Sequence, residues 1–208
     1  MKVIVFGSSG RTGKQLVHNA LEEGWEVTAF VRNPDSIVSH HPRLTIYQGD
    51  VTQAASVENA LKGVDVVLSA VGSDLGQTNL RQVAIENMVA GMQKNHIRRI
   101  IGIGGMGVLQ VSDSLQVFQT PGFPKEYVPV SLDHNAALEA LNRSDLDFTF
   151  VCPPVILDGP PTGKYLVEAD FPPKGEFHIT TGDLAEFMIS EVNEPRFIRK
   201  RVGIASKS

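Results

Sequence analysis

Lys2-Val3-Ile4-Val5-Phe6-Gly7-Ser8-Ser9-Gly10-Arg11-Thr12-Gly13, running straight into Lys14-Gln15-Leu16-Val17-His18-Asn19-Ala20-Leu21, decides the fold of this chain. After the leading lysine the first stretch is a short apolar, β-branched run, as a strand buried on both faces requires. The last stretch reads as a helix. A strand, a glycine-rich turn and a helix N-terminus in that order make a site for the phosphates of a dinucleotide. The first amides of the helix lack intrahelical partners and carry partial positive charge, so a pyrophosphate can rest against them. Gly7 allows the tight turn out of the strand, Gly10 allows close approach to the phosphates, and Gly13 allows the helix to pack near the sheet. Ser9, Arg11 and Thr12 lie in the same turn and complete the expected phosphate contacts. The spacing is GxxGxxG, one residue wider than the GxGxxG fingerprint.

Working outward, strand and helix patterns alternate almost to the end. Strands are expected at 26–31, 44–48, 65–69, 99–103 and 148–151, and helices at 56–61, 79–94 and 132–141. This alternation predicts an α/β fold, a single domain over 1–208 with a doubly wound parallel sheet and helices on both faces. The expected strand order is 3-2-1-4-5-6. Two stretches break the rhythm. Residues 104–130 form a long segment with apolar residues of its own, among them Met106, Leu109, Phe118, Phe123 and Tyr127, and read as a lid or wall of a binding site. A surface excursion with a minor core is the competing reading. Residues 153–174 are rich in proline and glycine and follow the sixth strand, at the carboxyl edge of the sheet where ligands of such folds bind.

Composition narrows the function. Of 208 residues, 42% are hydrophobic and 20% charged, within the range of a globular domain. A formal net charge of −4 argues against nucleic acid, whose phosphates call for a basic face. The basic cluster Arg196 with Arg199-Lys200-Arg201 reads as a solvated strand edge. Cys152 is the single cysteine, so no intrachain disulfide forms, a cytoplasmic location fits, and its apolar setting marks it as a small buried hydrophobe. Neither a leader peptide nor a membrane span is expected, and no His/Cys/Asp/Glu spacing suggests a metal.

The cofactor's identity is read at the end of the second strand. Enzymes using NAD often place Asp or Glu there to bind the ribose hydroxyls; this chain has Val31-Arg32-Asn33-Pro34. Arg32 is therefore expected to grip a 2′-phosphate, which selects NADP(H). Gly49-Asp50-Val51 closes the third strand, where Asp50 can reach the adenine edge and Val51 its face. Ser69-Ala70-Val71-Gly72 closes the fourth, and the small residues Ala70, Val71 and Gly72 leave room for ribose and pyrophosphate. Ordinary turns would use the same residue types.

On these motifs the chain resembles the atypical short-chain dehydrogenase/reductases, in the group of biliverdin reductase B (flavin reductase) and the NmrA-like NAD(P)-binding proteins. Phe6 to Gly13, Val31-Arg32, Gly49-Asp50-Val51, Asp133-His134, Pro153-Pro154-Val155-Ile156, Thr162-Gly163-Lys164-Tyr165 and Thr181-Gly182-Asp183-Leu184-Ala185-Glu186-Phe187-Met188 carry the likeness. It implies a Rossmann fold, NADP(H) as cofactor with Pro153 and Val155 beside it, and a small planar acceptor such as a flavin, bound as substrate. Gly105, Met106, Phe118 and Phe123 are expected on the acceptor side. A small-molecule partner and a monomer or homodimer are expected.

The departures bear on mechanism. Most short-chain dehydrogenases carry Tyr-x-x-x-Lys, but Tyr127 is followed four residues on by Ser131 and Tyr165 by Ala169. In the group's biliverdin-reducing branch a serine after the fifth strand and a histidine after the paired prolines line the substrate site. Gly105 and Val155 stand there in this chain. His134 is the candidate acid–base residue, with helix capping and packing beside the nicotinamide as its alternative; His178 reads as structural. Three functions are open: an NADPH-dependent flavin-reductase-like enzyme, a redox sensor that binds NAD(P) without turnover, and a quinone or enone reductase.

Overall fold

The computed structural model describes residues 1–72 and 79–207. Strand β1 (Lys2–Phe6) passes through the glycine turn into α1 (Arg11–Glu22), followed by β2 (Glu26–Val31), β3 (Leu44–Gln48), α2 (Ala54–Ala60), β4 (Val66–Ser69), α3 (Leu80–Lys94) and β5 (Arg99–Ile103). A small hairpin of β6 (Gln110–Ser112) and β7 (Leu115–Gln116) precedes α4 (Val128–Arg143). The chain ends with β8 (Asp147–Cys152), β9 (Val155–Leu157), β10 (Tyr165–Ala169), β11 (His178–Thr180), α5 (Thr181–Asn193) and β12 (Lys200–Ser206).

Eight strands form the main sheet in the order β3-β2-β1-β4-β5-β8-β12-β10. Every pairing in it is parallel except that of the edge strand β10 with β12. Its first six strands reproduce the expected order 3-2-1-4-5-6, and β12 and β10 extend it. The strands alternate their apolar side chains between two cores. Val3, Val5, Val27, Leu68, Ile101 and Val151 face α1 and α5, whereas Ile4, Phe6, Val67, Ile100, Phe148 and Phe150 face α2, α3 and α4. This is the α/β Rossmann-type architecture with helices on both faces.

Several expectations need correction. Helix α1 begins at Arg11, so Arg11, Thr12 and Gly13 of the glycine motif are already helical. Helix α4 begins at Val128, with Pro129 in its first turn, and takes the end of the expected 104–130 loop. Proline suits that position because its missing N–H would have no partner there anyway. The basic cluster is not a solvated edge: β12 lies between β8 and β10, and its cations are engaged. Arg199 donates to the carbonyls of Asn142, Ser144 and Leu146, closing the end of α4. Lys200 pairs with Asp170 at 2.7 Å, and Arg201 donates to the Val108 carbonyl at 2.6 Å. Among the described residues no helix is long and apolar enough to cross a membrane.

Candidate functional site

The carboxyl ends of the central strands meet around the glycine turn. Gly7 has φ +75°, a left-handed conformation, and a Cβ on it would strike the Ala70 carbonyl. The amide of Ala70 in turn donates to the Phe6 carbonyl at 2.9 Å, so pairing of β1 with the β4 segment continues to the base of the turn. Gly13 packs so near the Gly7 carbonyl that no side chain fits, and the buried Ser8 hydroxyl ties the turn to the Phe30 carbonyl at 3.0 Å. Ser9, Gly10 and Arg11 are exposed, whereas Thr12 is buried. Gly10 offers no capping side chain and the first turn of α1 holds no acidic residue. Lys14 N–H, bonded to the Gly10 carbonyl at 2.9 Å, is the first amide to turn back into the helix. The amides of Arg11, Thr12 and Gly13 precede it, positive and without intrahelical acceptors. This cradle fits a pyrophosphate.

Beyond the ends of β2 and β3 lie Arg32, Asp50 and Val51, the charge of Arg32 acting on Asp50. Arg32 is exposed, and its guanidinium makes no hydrogen bond or ion pair with a described residue. Asp50 Oδ1 accepts from the amide and hydroxyl of Thr52 at 2.9 and 2.8 Å. These bonds, with a smaller pull from Arg32, hold its carboxyl below the ordinary range against the opposing effect of burial. Val51 packs partly on the core, and its carbonyl accepts from Asn87 at 2.8 Å.

At the end of β4, Ala70 and Val71 are half-buried and Gly72 is exposed, and no atom of the described residues lies within 4 Å of where a Cβ on it would sit. Gly105, which stands where the biliverdin-reducing branch has serine, faces His134. A Cβ there would lie 2.9 Å from His134 Cδ2 and 3.1 Å from its Nε2, so the imidazole covers the ground a serine side chain would need. His134 is 8% exposed and lies edge-on to Phe150, and its Nδ1 is buried without a partner among the described residues. Burial, and to a lesser degree the charge of Arg81, pushes its pKa down to about 3. At neutral pH His134 is therefore a neutral imidazole.

That shift sets an acid limb of stability. Unfolded, the imidazole takes a proton near 6.5; folded, only near 3, so its contribution is complete above pH 6.5 and drains away as pH falls toward 3. The slope in this window approaches about 1.4 kcal/mol per pH unit. Urea unfolding at pH 7.5 and pH 5 should show wild type losing on the order of 1–2 kcal/mol more than His134→Gln between the two. Equal losses would mean that His134 titrates normally in the fold.

Two carboxylates brace the site from behind. Asp133, buried in the second turn of α4, accepts from the amides of Arg81 and Gln82 at 3.0 and 2.9 Å, capping α3 from a neighbouring helix. Asp183 of α5 accepts from the amides of Thr162 and Gly163 and from the Thr162 hydroxyl, at 2.6, 2.9 and 2.8 Å. Burial raises its pKa, but these bonds together outweigh it and hold the carboxyl low. The Thr181-Gly182-Asp183 motif thus pins the 159–163 segment.

That segment follows β9, which pairs with β11 and places His178 opposite Val155. Pro153 is buried and its carbonyl accepts from Met106 N–H at 3.0 Å. Val155 and Leu157 are exposed on one face of β9, at 49% and 45%. Arg11 reaches from the glycine turn to the Ile156 carbonyl and to Asp158. Sequence reasoning missed Asp158, which carries no motif of its own.

The 104–127 segment is part core and part surface. Val108 and Leu109 are fully buried, Met106 packs on the core, and Phe118 and Phe123 are half-buried. Tyr127 precedes α4 at the surface, and Tyr165 in β10 packs edge-on to Phe187 of α5. Cys152 is buried and its thiol is pushed up to about 12, chiefly by burial, which fits an inert core residue. No group of side chains that could hold a metal exists among the described residues.

Comparison with known proteins agrees with this geometry. A family model described as NAD(P)H-binding matches residues 7–195, and the chain belongs to that family. The Bacillus subtilis protein YwnB, uncharacterized, is 29% identical over 216 aligned residues that cover all of both chains. A crystal structure from Burkholderia pseudomallei superposes with a TM-score of 0.87 at 31% identity, covering 99% of each chain. A proposed NADH-flavin reductase from Streptococcus pneumoniae superposes with a TM-score of 0.86 at 27% identity over all of both chains.

Proposed function

We propose that the chain is an NADPH-dependent reductase of the flavin-reductase type, acting on a flat small-molecule acceptor. The observation that carries the reading is the pairing of a glycine-turn cradle suited to a dinucleotide with a buried, neutral imidazole, His134, against Gly105 on the acceptor side. His134, set against Gly105, is neutral at physiological pH, and no Tyr-x-x-x-Lys pair exists. Such a site suits an acceptor that takes hydride and draws its proton from water, as a flavin or quinone does. The resemblance to the Streptococcus pneumoniae protein supports the same class.

When bound, the reduced nicotinamide supplies the hydride, and the protein contributes binding and orientation. Gly7, Ser9, Gly10, Arg11, Thr12 and Gly13 would hold the pyrophosphate. Arg32 would hold the 2′-phosphate, with Asp50 and Val51 at the adenine. Ala70, Val71, Gly72, Pro153 and Val155 would border the ribose and nicotinamide. Gly105, Met106, Phe118 and Phe123 would shape the acceptor side and exclude water.

Activity should then depend on positioning more than on His134. Replacing Phe118 and Phe123 together with Ala should lower turnover with FMN or a quinone by about tenfold while NADPH affinity barely moves. His134→Ala should have the smaller effect. NADPH oxidation with FMN, quinones and dichlorophenolindophenol reads the ranking, and the reverse order would show a proton-transfer mechanism. Wild type that binds NADPH but oxidises it with none of these acceptors would favour a redox sensor.

A further inference from the structure

Arg11 and Asp158 join the glycine turn to the segment after β8. From the first position of α1, Arg11 Nη1 donates to Asp158 Oδ1 at 3.1 Å and to the Ile156 carbonyl at 3.3 Å. Both side chains are exposed, 60% for Arg11 and 72% for Asp158. Asp158 thus engages the side chain of the first residue of a helix whose free amides favour an anion, so it holds a guanidinium that an anionic ligand at the turn would also seek. Its backbone has little freedom to withdraw. Gly159 next to it is bonded to the Thr181 hydroxyl at 3.3 Å, and Thr162 and Gly163 are pinned by Asp183.

We propose that Asp158 is a built-in competitor for the cofactor's pyrophosphate, which must take the Arg11 guanidinium over from it. This rests on the reading of the glycine turn as the phosphate site. Exchange is easy because an exposed ion pair is screened by water and holds weakly. After exchange the guanidinium meets a more highly charged partner, and the displaced carboxylate remains close by. Asp158 would thereby weaken dinucleotide binding and hasten its release, which suits an enzyme that must let go of the oxidised cofactor each turnover.

The test is NADPH titration, by nucleotide fluorescence, of wild type, Asp158→Asn, Arg11→Ala and the double variant. Asp158→Asn should tighten NADPH binding by about three- to tenfold, and Arg11→Ala should weaken it by about tenfold. In the Arg11→Ala background the gain from Asp158→Asn should shrink to less than about twofold, because the contested guanidinium is gone. The same gain in both backgrounds would reduce Asp158 to a repelling charge and overturn the exchange. Wild-type binding with no gain in Asp158→Asn would overturn it as well. Wild type that binds no NADPH would overturn both the exchange and the phosphate site on which it rests.

Discussion

Gly10→Val should fold as wild type does and lose NADPH affinity by about a hundredfold or more, the largest effect expected of a change in the turn that leaves the fold intact. The three motif glycines divide by what surrounds them. A side chain at Gly7 would run into the Ala70 carbonyl from a left-handed backbone, and one at Gly13 would run into the Gly7 carbonyl. Changes there break the turn itself. Gly10 has φ −72° and ψ 169°, which valine adopts readily, and an added Cβ would meet a single atom, the Gly7 carbonyl oxygen at 3.2 Å. The position is exposed, at the mouth of the uncapped helix. Valine methyls would therefore fill the space of the phosphate oxygens while leaving the core untouched. Circular dichroism beside a nucleotide titration checks both halves, and a folded variant with normal affinity would move the phosphate site elsewhere.

Arg32→Ala carries the second large effect. Its guanidinium is exposed at the end of β2 and makes no hydrogen bond or ion pair with a described residue, and no carboxylate stands beside it in sequence to bind ribose hydroxyls. A charge-assisted contact to a 2′-phosphate contributes about 1.5–3 kcal/mol. The variant should lose NADPH affinity by roughly ten- to a hundredfold and NADH affinity by less than about twofold. Dissociation constants for the two cofactors on both proteins decide it. Equal losses would assign Arg32 to the adenine or to general charge attraction.

The sheet was legible where burial on both faces forces apolar runs, as in Val3–Phe6 and Val66–Leu68, and the first six strands fell in the expected order. Strand β12 was not, because it opens with Lys200-Arg201 and interrupts its apolar residues with Gly203. Its charges are tolerated within the sheet only because Asp170 and the Val108 carbonyl receive them, partners supplied by the fold. The same distinction runs through the site. The glycine turn and Arg32 lie within one βαβ unit and carry a local signature. Asp133 and Asp158 act on groups 52 and 147 residues away, at Arg81 and Arg11, so nothing near them in the chain announced their partners. Gly105 read as a missing serine, and the structure supplies the reason: His134, from a different element, packs against it.

The most direct test of the account is anaerobic reaction of the purified protein with FMN and NADPH deuterated at one or the other face of nicotinamide C4. Dinucleotide absorbance and the label in the recovered NADP are followed. The account predicts saturable oxidation, with deuterium removed from one face only and a slower rate for that isotopomer. NADPH that binds but is consumed no faster than without protein, or label lost equally from both faces, would contradict it.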